Sequence, residues 1–451
     1  MATKHGNTQG AGEGAPSLQR TLGLWQMTLY GTGSMLGAGI YGLVGVAAGQ
    51  MGSAVWLAFL ISLVAAGLTG LSYASLGSRY PRAGGAAYVT QRAYRHGLLT
   101  HMVGVVVACS GITSMAAGAR VIAENLQRLP ELAVLPVTVL ALLYLGALAG
   151  IVYRGIRESM WANVVCSIVE AGGLLLVIAV GIRYWGTADL LEMPGAGDAG
   201  SALPMVMLAQ GVVLTFYSFL GFEDALNVSE ELKNPRRNLP LGLILALVVT
   251  ACLYIGVAIT AVSVVPWREL AQEGAPLAEV MARAAPWFPN WMFVVITIFA
   301  VANTGLINYV TASRLLYGMA RDRQLPRALS VIHPRRRTPH FAVLLILALL
   351  AVLVTIGDIS QLASATVLLL LLVFTVVNAA LAVLKRRPGE PEGALEIPVA
   401  VPMLGAVVCL GLFIARVAAG DWLAPAIAGV LLFAVWALYV ALRPRLGTAE
   451  D

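Results

Sequence analysis

Charge is scarce in this chain: Asp, Glu, Lys and Arg make up only 12% of its 451 residues, while 59% are hydrophobic. An average soluble domain carries about 25% charge, so the composition excludes an ordinary globular protein. Cysteine is scarcer still. Cys109, Cys166, Cys252 and Cys409 stand alone in apolar segments without CxxC spacing, which argues against a disulfide framework or a zinc site and reads as small core residues. The five histidines (His5, His96, His101, His333, His340) lie in the N-terminal tail or near predicted helix ends, in no metal-ligand pattern. With no phosphate loop, nucleophile elbow or His-Glu-x-x-His, neither a cofactor nor an enzyme constellation is implied. The net charge of +6 reflects the basic ends of membrane helices and carries no nucleic-acid signal. Residues 1–20 are polar and Gly-rich without an apolar core, so the reading expects a disordered tail and no cleaved leader.

What is abundant is long apolar runs. Twelve segments have the length that crosses a hydrocarbon core of about 30 Å: 23–50, 54–78, 86–119, 133–152, 158–182, 203–230, 240–264, 290–319, 340–356, 361–384, 398–417 and 422–442. They lack the alternation of barrel strands and are expected to be helices, giving an all-α polytopic membrane protein with 12 transmembrane helices. With both termini inside, most Lys and Arg fall on the cytoplasmic side. That leaves only Arg120, Arg128, Arg183, Arg268, Arg283 and Arg416 at outer ends or loops, with Arg314 inside a helix. The asymmetry predicts an N-in, C-in topology. Trp25, Trp56, Trp185, Trp267, Trp287, Trp291 and Trp422 fall near predicted interfaces and read as belt anchors, and Arg120 with Glu124 as a four-residue-spaced pair.

Two segments look built to break. GTGSMLGAGIYGLVG (residues 31–45) puts six glycines into the first span, each costing roughly 1 kcal/mol of helix stability relative to Ala. Leaving the helix around Ser34 to Ile40 would bare amide N–H groups at a half-helix N-terminus, a suitable seat for a carboxylate. The bland alternative is close helix packing through Gly33/Gly37 and Gly45/Gly49. In the sixth span, FYSFLGFED places Gly221 and two carboxylates, Glu223 and Asp224, in mid-membrane; an unwound turn at 217–224 would let them line a wet cavity. The first and sixth spans hold equivalent places if spans one to five and six to ten are repeats. A third intramembrane charge, Glu170, lies twelve residues past Glu158, about 18 Å into the membrane; such charges cost at least about 2.5 kcal/mol unless compensated.

Four stretches together resemble the amino acid-polyamine-organocation (APC) superfamily of transporters: LGLWQMTLYGTGSMLGAGIYGLVG, RYPRAGGAAYVTQRAY, FYSFLGFEDALNVSEELKNPRRNLP and NTGLINYVTASRLLYGMARDRQLP. The resemblance runs from Leu22 to about Arg387. It implies the five-plus-five inverted-repeat fold of the bacterial leucine transporter, with helices 1 and 6 unwound. The domain layout would then be a tail (1–20), a core (21–385, with repeats of about 21–185 and 200–385), two appended helices (397–443) and a C-terminal tail (444–451). It implies that Ser34, Gly37, Ala38, Gly39 and Ile40 meet a substrate carboxylate, and that carbonyls near Thr32, Phe216, Tyr217 and Phe219 meet its amine. Tyr217 or Phe216 would serve as a gating aromatic, and Glu223 as the acid of proton coupling or cation recognition, with Asp224 beside it.

RESMWANVVCSIVEAGG matches a family pattern at Glu158, Ser159 and Asn163, but carries Glu170 where some proton-coupled relatives have lysine. Three accounts of Glu170 compete: a proton carrier, part of a site for sodium or a second amino group, or a structural carboxylate paired with the first-helix backbone or Arg314. Arg314, Arg321 and Asp322 read as an inner bracing set, and Glu230, Glu231 and Asn234-Pro235-Arg236 as a gate or helix terminus. The expected function is a plasma-membrane permease working by alternating access, with proton-coupled uptake of a neutral or basic amino acid and sodium as the lesser option for the coupling ion. The alternative is an amino acid/polyamine antiporter. Membrane lipids are expected partners, and a homodimer is common among relatives. A channel lacks any filter signal, and a membrane enzyme lacks its catalytic groups.

Overall fold

The computed structural model describes residues 22–81, 85–154, 160–194, 204–226, 229, 232–321, 325–333 and 338–442. All regular structure among them is helical, apart from one isolated bridge between Leu22 and Leu232. The helices are α1 (Leu24–Met35), α2 (Ala38–Met51), α3 (Val55–Arg79), α4 (Gly85–Tyr94), α5 (Gly97–Leu126), α6 (Val137–Arg154), α7 (Met160–Gly181), α8 (Pro204–Ser218), α9 (Pro235–Val264), α10 (Trp267–Leu270), α11 (Pro276–Ala284), α12 (Asn290–Arg321), α13 (His340–Ile356), α14 (Ile359–Arg386), α15 (Ala400–Ala418) and α16 (Leu423–Leu442). Nine stretches among the described residues are long and apolar enough to cross a membrane, one of them the 42-residue run Ala38–Arg79. At 1.5 Å per residue that run is about 63 Å long, twice a hydrocarbon core, and it turns back at Gly52. The other apolar segments are short pieces: α1, α8 and the 17-residue α13. The chain is a polytopic membrane protein, and its outer faces carry exposed Val64, Leu143, Val407 and Phe433 where a soluble protein would carry charge.

The expected third span, 86–119, is two helices. Arg95 takes a positive φ of 50° between α4 and α5, because Arg92, Arg95 and His96 suit an aqueous edge rather than hydrocarbon. The bridging loops also hold more structure than sequence periodicity suggested: α10 and α11 sit between α9 and α12, tied to the end of α5 by Arg128, which pairs with Glu273 at 2.5 Å and Glu279 at 3.1 Å. Arg120 does not pair with Glu124; it donates to the Val354 carbonyl at the end of α13 (2.9 Å).

α5 and α14 run through the middle of the bundle and pack on each other, with α12 against α5 and α9 against α3. At the basic end, the segment after α14 folds back over α3 and α4. Arg79 pairs with Glu396 at 2.6 Å, Lys385 pairs with the same carboxylate, and Glu390 accepts from Tyr80 and Arg92, both at 2.8 Å. Burial works against the charged form of Glu396, but hydrogen bonds from Arg79, Lys385 and the Gly393 N–H outweigh it and hold the carboxyl down at about 2.

Candidate functional site

Both expected breaks are present, the first narrower than the sequence suggested. The Leu36 N–H still makes the last helical bond of α1, to the Thr32 carbonyl (2.9 Å), but Leu36 itself is extended, which ends the helix, and Gly37, at φ 136°, turns the chain straight into α2. An L side chain rarely adopts that φ, which explains a glycine at this one position. The first backbone N–H groups of α2 have no acceptor within their own helix. The second break spans 219–221: the N–H groups of Phe219 and Leu220 fold back to Phe216 and Tyr217 (3.0 and 3.1 Å), and Gly221 sits at φ 119°. A short 3₁₀ helix, Phe222–Leu226, follows and carries Glu223 and Asp224. Glu223 accepts from the Gly221 N–H at 2.8 Å, so the acid caps its own break.

The two breaks touch. A Cβ on Gly221 would collide with the carbonyl oxygen of Ser34, and one on Gly39 would lie 2.6 Å from the Ser218 Cα. Tyr254 of α9, wholly buried, ties them together: its hydroxyl is 2.6 Å from the Met35 carbonyl and 2.8 Å from that of Ser218, the last residues of α1 and α8. Thr304 of α12 donates to the Leu36 carbonyl at 3.0 Å. Broken helices leave orphan carbonyls that lipid cannot satisfy; here two side chains from neighbouring helices take them up.

Beside this junction lies a cavity of about 80 Å³, room for several waters or part of a small solute. Ser34, Ala38 and Gly39 line it from the first break, and Tyr217, Gly221, Glu223 and Asp224 from the second. The opposite wall is Ser110 and Ser114 of α5, Thr304, Asn308 and Thr311 of α12, and Thr366 of α14. The Tyr217 hydroxyl meets Ser114 Oγ at 3.0 Å and so closes one side. Glu223 and Asp224 are the acidic groups of the wall, and no Lys, Arg or His is among the described lining residues.

The amino acid permease family matches residues 22–441 of this sequence. The chain belongs to that family, within the APC superfamily. It is 32% identical over 408 residues to an uncharacterized transporter of Mycobacterium tuberculosis (strain ATCC 25618 / H37Rv), covering 89% of this chain and 88% of the relative. It is 27% identical over 437 residues to the branched-chain amino acid permease BcaP of Bacillus subtilis (strain 168), covering 90% of each. It is 29% identical over 423 residues to the methylthioribose transporter of the same organism, covering 87% and 88%. The family is one of transporters, not enzymes.

Several residues singled out in this permease's sequence stand apart from the cavity wall. Gly37 and Ile40 lie behind it, with Ile40 fully buried. Thr32 is buried inside α1, its carbonyl already accepting from Leu36. Phe216 packs on Phe374 and Phe219 on Tyr254, so of the two aromatics considered for a gate only Tyr217 faces the cavity. Glu170 is wholly buried and does not line it. Ser167, one turn before Glu170, abuts Gly33 of α1; Tyr41 of α2 donates to the Glu170 carbonyl at 3.2 Å. Neither carboxylate oxygen of Glu170 has a hydrogen-bond partner among the described residues, and no ion pair joins it to Arg314, which is exposed. Glu158, Ser159, Glu230, Glu231 and Asp322 lie outside the described residues, as do the side chains of Asn163 and Arg321.

Sequence reading missed the α5 and α12 walls and Tyr254. A signal existed for the first two: Ser110, Ser114 and Gly118 recur every four residues, and Thr304, Asn308 and Thr311 at helical spacing, each a polar stripe on one face of an apolar helix. Tyr254 had none, being a single tyrosine in an apolar run.

Proposed function

We propose that this permease is a secondary active transporter that moves an amino acid across the plasma membrane by alternating access, with proton-coupled uptake of a neutral or basic amino acid. The observation that carries the reading is the cavity where two interrupted helices meet, with a bare helix N-terminus on one side and Glu223 with Asp224 on the other. The N–H groups of α2 suit a substrate carboxylate, and the acidic wall suits its ammonium group. An acidic wall without a lysine or arginine also admits a second positive charge, which keeps the amino acid/polyamine antiporter as the second reading. Relatives named for branched-chain amino acids and for methylthioribose bracket how widely this family's substrates range.

Spans one and six, α1–α2 and α8 with its 3₁₀ turn, would be equivalent elements of a five-plus-five inverted repeat, with α15 and α16 appended and twelve crossings in all. Both termini would lie in the cytoplasm, on the side of Arg79, Arg92 and Lys385. Glu170 is the natural coupling group: a carboxylate this deep, with no partner among the described residues, is favoured when it holds a proton or a cation. The bundle would rock about the breaks, making and breaking the Tyr254 ties.

Purified protein in proteoliposomes tests the reading. Saturable uptake, competed by a narrow set of amino acids and driven by an imposed proton gradient, is expected; conversion of the solute to a new compound, or uptake without saturation, would overturn it. A thermal-shift screen of the twenty amino acids and common polyamines at two pH values identifies the ligand, since a compound that binds only the folded carrier raises its melting point.

A further inference from the structure

Between α14 and α15, at the basic end of the bundle, lies a groove of about 610 Å³ that shares no lining residue with the cavity between the two breaks. Its floor is small and apolar, Ala379, Ala382 and Ala406; Val383 and Val407 form rims that are 39% and 67% exposed. A cleft of this size is too large for an ion, and its mostly apolar lining suits a hydrocarbon chain.

Its mouth is basic. Lys385, Arg386 and Arg387 follow one another at the end of α14, and among the described residues two of them are neutralised: Lys385 by Glu396, and Arg387 by Glu390 at 3.7 Å together with the carbonyls of Arg92 and Ala93 at 2.8 and 2.7 Å. Arg386 is exposed and, among the described residues, has no carboxylate within ion-pair distance; its guanidinium reaches across the groove to the Met403 thioether of α15, 3.6 Å away. A favourable interaction with the C-terminal dipole of α14 accounts for having a cation there. It does not account for a cation left unpaired over the entrance of an apolar cleft.

We propose that this groove binds an anionic phospholipid, with an acyl chain laid along the alanine floor and the headgroup phosphate on Arg386. A planar guanidinium matches two phosphate oxygens at once, and basic pockets between membrane helices recognise such headgroups. The site is independent of what the carrier moves; the inward placement of the basic end decides only which leaflet supplies the lipid.

The test uses full-length protein, delipidated in a nonionic detergent, with melting followed against added dioleoylphosphatidylglycerol, dioleoylphosphatidylcholine or inorganic phosphate. Phosphatidylglycerol should stabilise at lower concentration than phosphatidylcholine, and phosphate alone should do nothing. Arg386→Gln should weaken the phosphatidylglycerol effect about fivefold, the size expected for one basic contact at a membrane surface. Ala406→Phe, or Val383→Phe should that variant not fold, should weaken both lipids by filling the groove. Arg327→Gln, another exposed arginine outside the groove, should leave both unchanged. Equal stabilisation by the two lipids, an unaltered preference in Arg386→Gln, or full protection by phosphate would overturn the assignment. So would a groove variant that changed oligomeric mass while keeping lipid affinity, which would make the cleft a contact between two copies.

Discussion

Gly221→Ala adds one methyl group at the point where the two interrupted helices touch. Two independent effects act there. Gly221 has φ 119°, where an L side chain is strained by about 1–3 kcal/mol. The new carbon would also run into the carbonyl oxygen of Ser34, a backbone atom at the end of α1 that cannot swing aside as a side chain would; overpacking of this kind costs about 1–3 kcal/mol. Together they should destabilise the fold by at least about 2 kcal/mol, and whatever relaxation occurs must push the breaks apart and deform the cavity wall made by Ser34 and Glu223. Gly67→Ala is the matched control: it lies inside α3 with no atom within 4 Å of the added carbon, so it should gain up to about 1 kcal/mol of helix propensity. Melting of both variants in detergent, alongside substrate uptake in proteoliposomes, reads the outcome. The expectation is opposite signs, with uptake lost only in Gly221→Ala. A Gly221→Ala protein that melts at or above the wild type and transports normally would refute the contact between the breaks.

Tyr254→Phe keeps the ring packed against Phe59 and Phe219 but removes the hydroxyl shared by the Met35 and Ser218 carbonyls, leaving buried acceptors unmet. Destabilisation of about 1–3 kcal/mol is expected in detergent melting, and a variant equal to the wild type would show that the tie carries no energy. Glu223→Gln should impair coupled uptake more than Glu231→Gln, because Glu223 lines the cavity; equal, mild losses in an uptake assay at two pH values would count against its place in coupling. Glu396 has a folded pKa of about 2, below the usual glutamate value near 4.3, so its stabilisation is complete above about pH 5 and disappears as pH falls toward 2. The melting difference between wild type and Glu396→Gln should therefore be constant from pH 5 upward and shrink below it; a difference as large at pH 2 as at pH 7 would rule out the ionised contact with Arg79 and Lys385.

The amino-acid sequence by itself determined the solvent and the weak points of this protein. Apolar runs of membrane-crossing length can satisfy their backbone in lipid only as helices, so class followed from composition. Gly37 and Gly221 marked the interruptions because a backbone turn with positive φ leaves its trace in the residue that adopts it. Family motifs carried the permease assignment, for the same local reason: they are contiguous. Tertiary structure alone decided what meets what. The α4–α5 corner at Arg95, the Tyr254 tie across residues 35 and 218, the serine and threonine wall opposite Glu223, and the burial of Glu170 behind the cavity rather than in it all depend on how distant helices rotate and pack. A residue's partner across a helix interface is set by the summed geometry of the whole bundle, and no local stretch of chain encodes it.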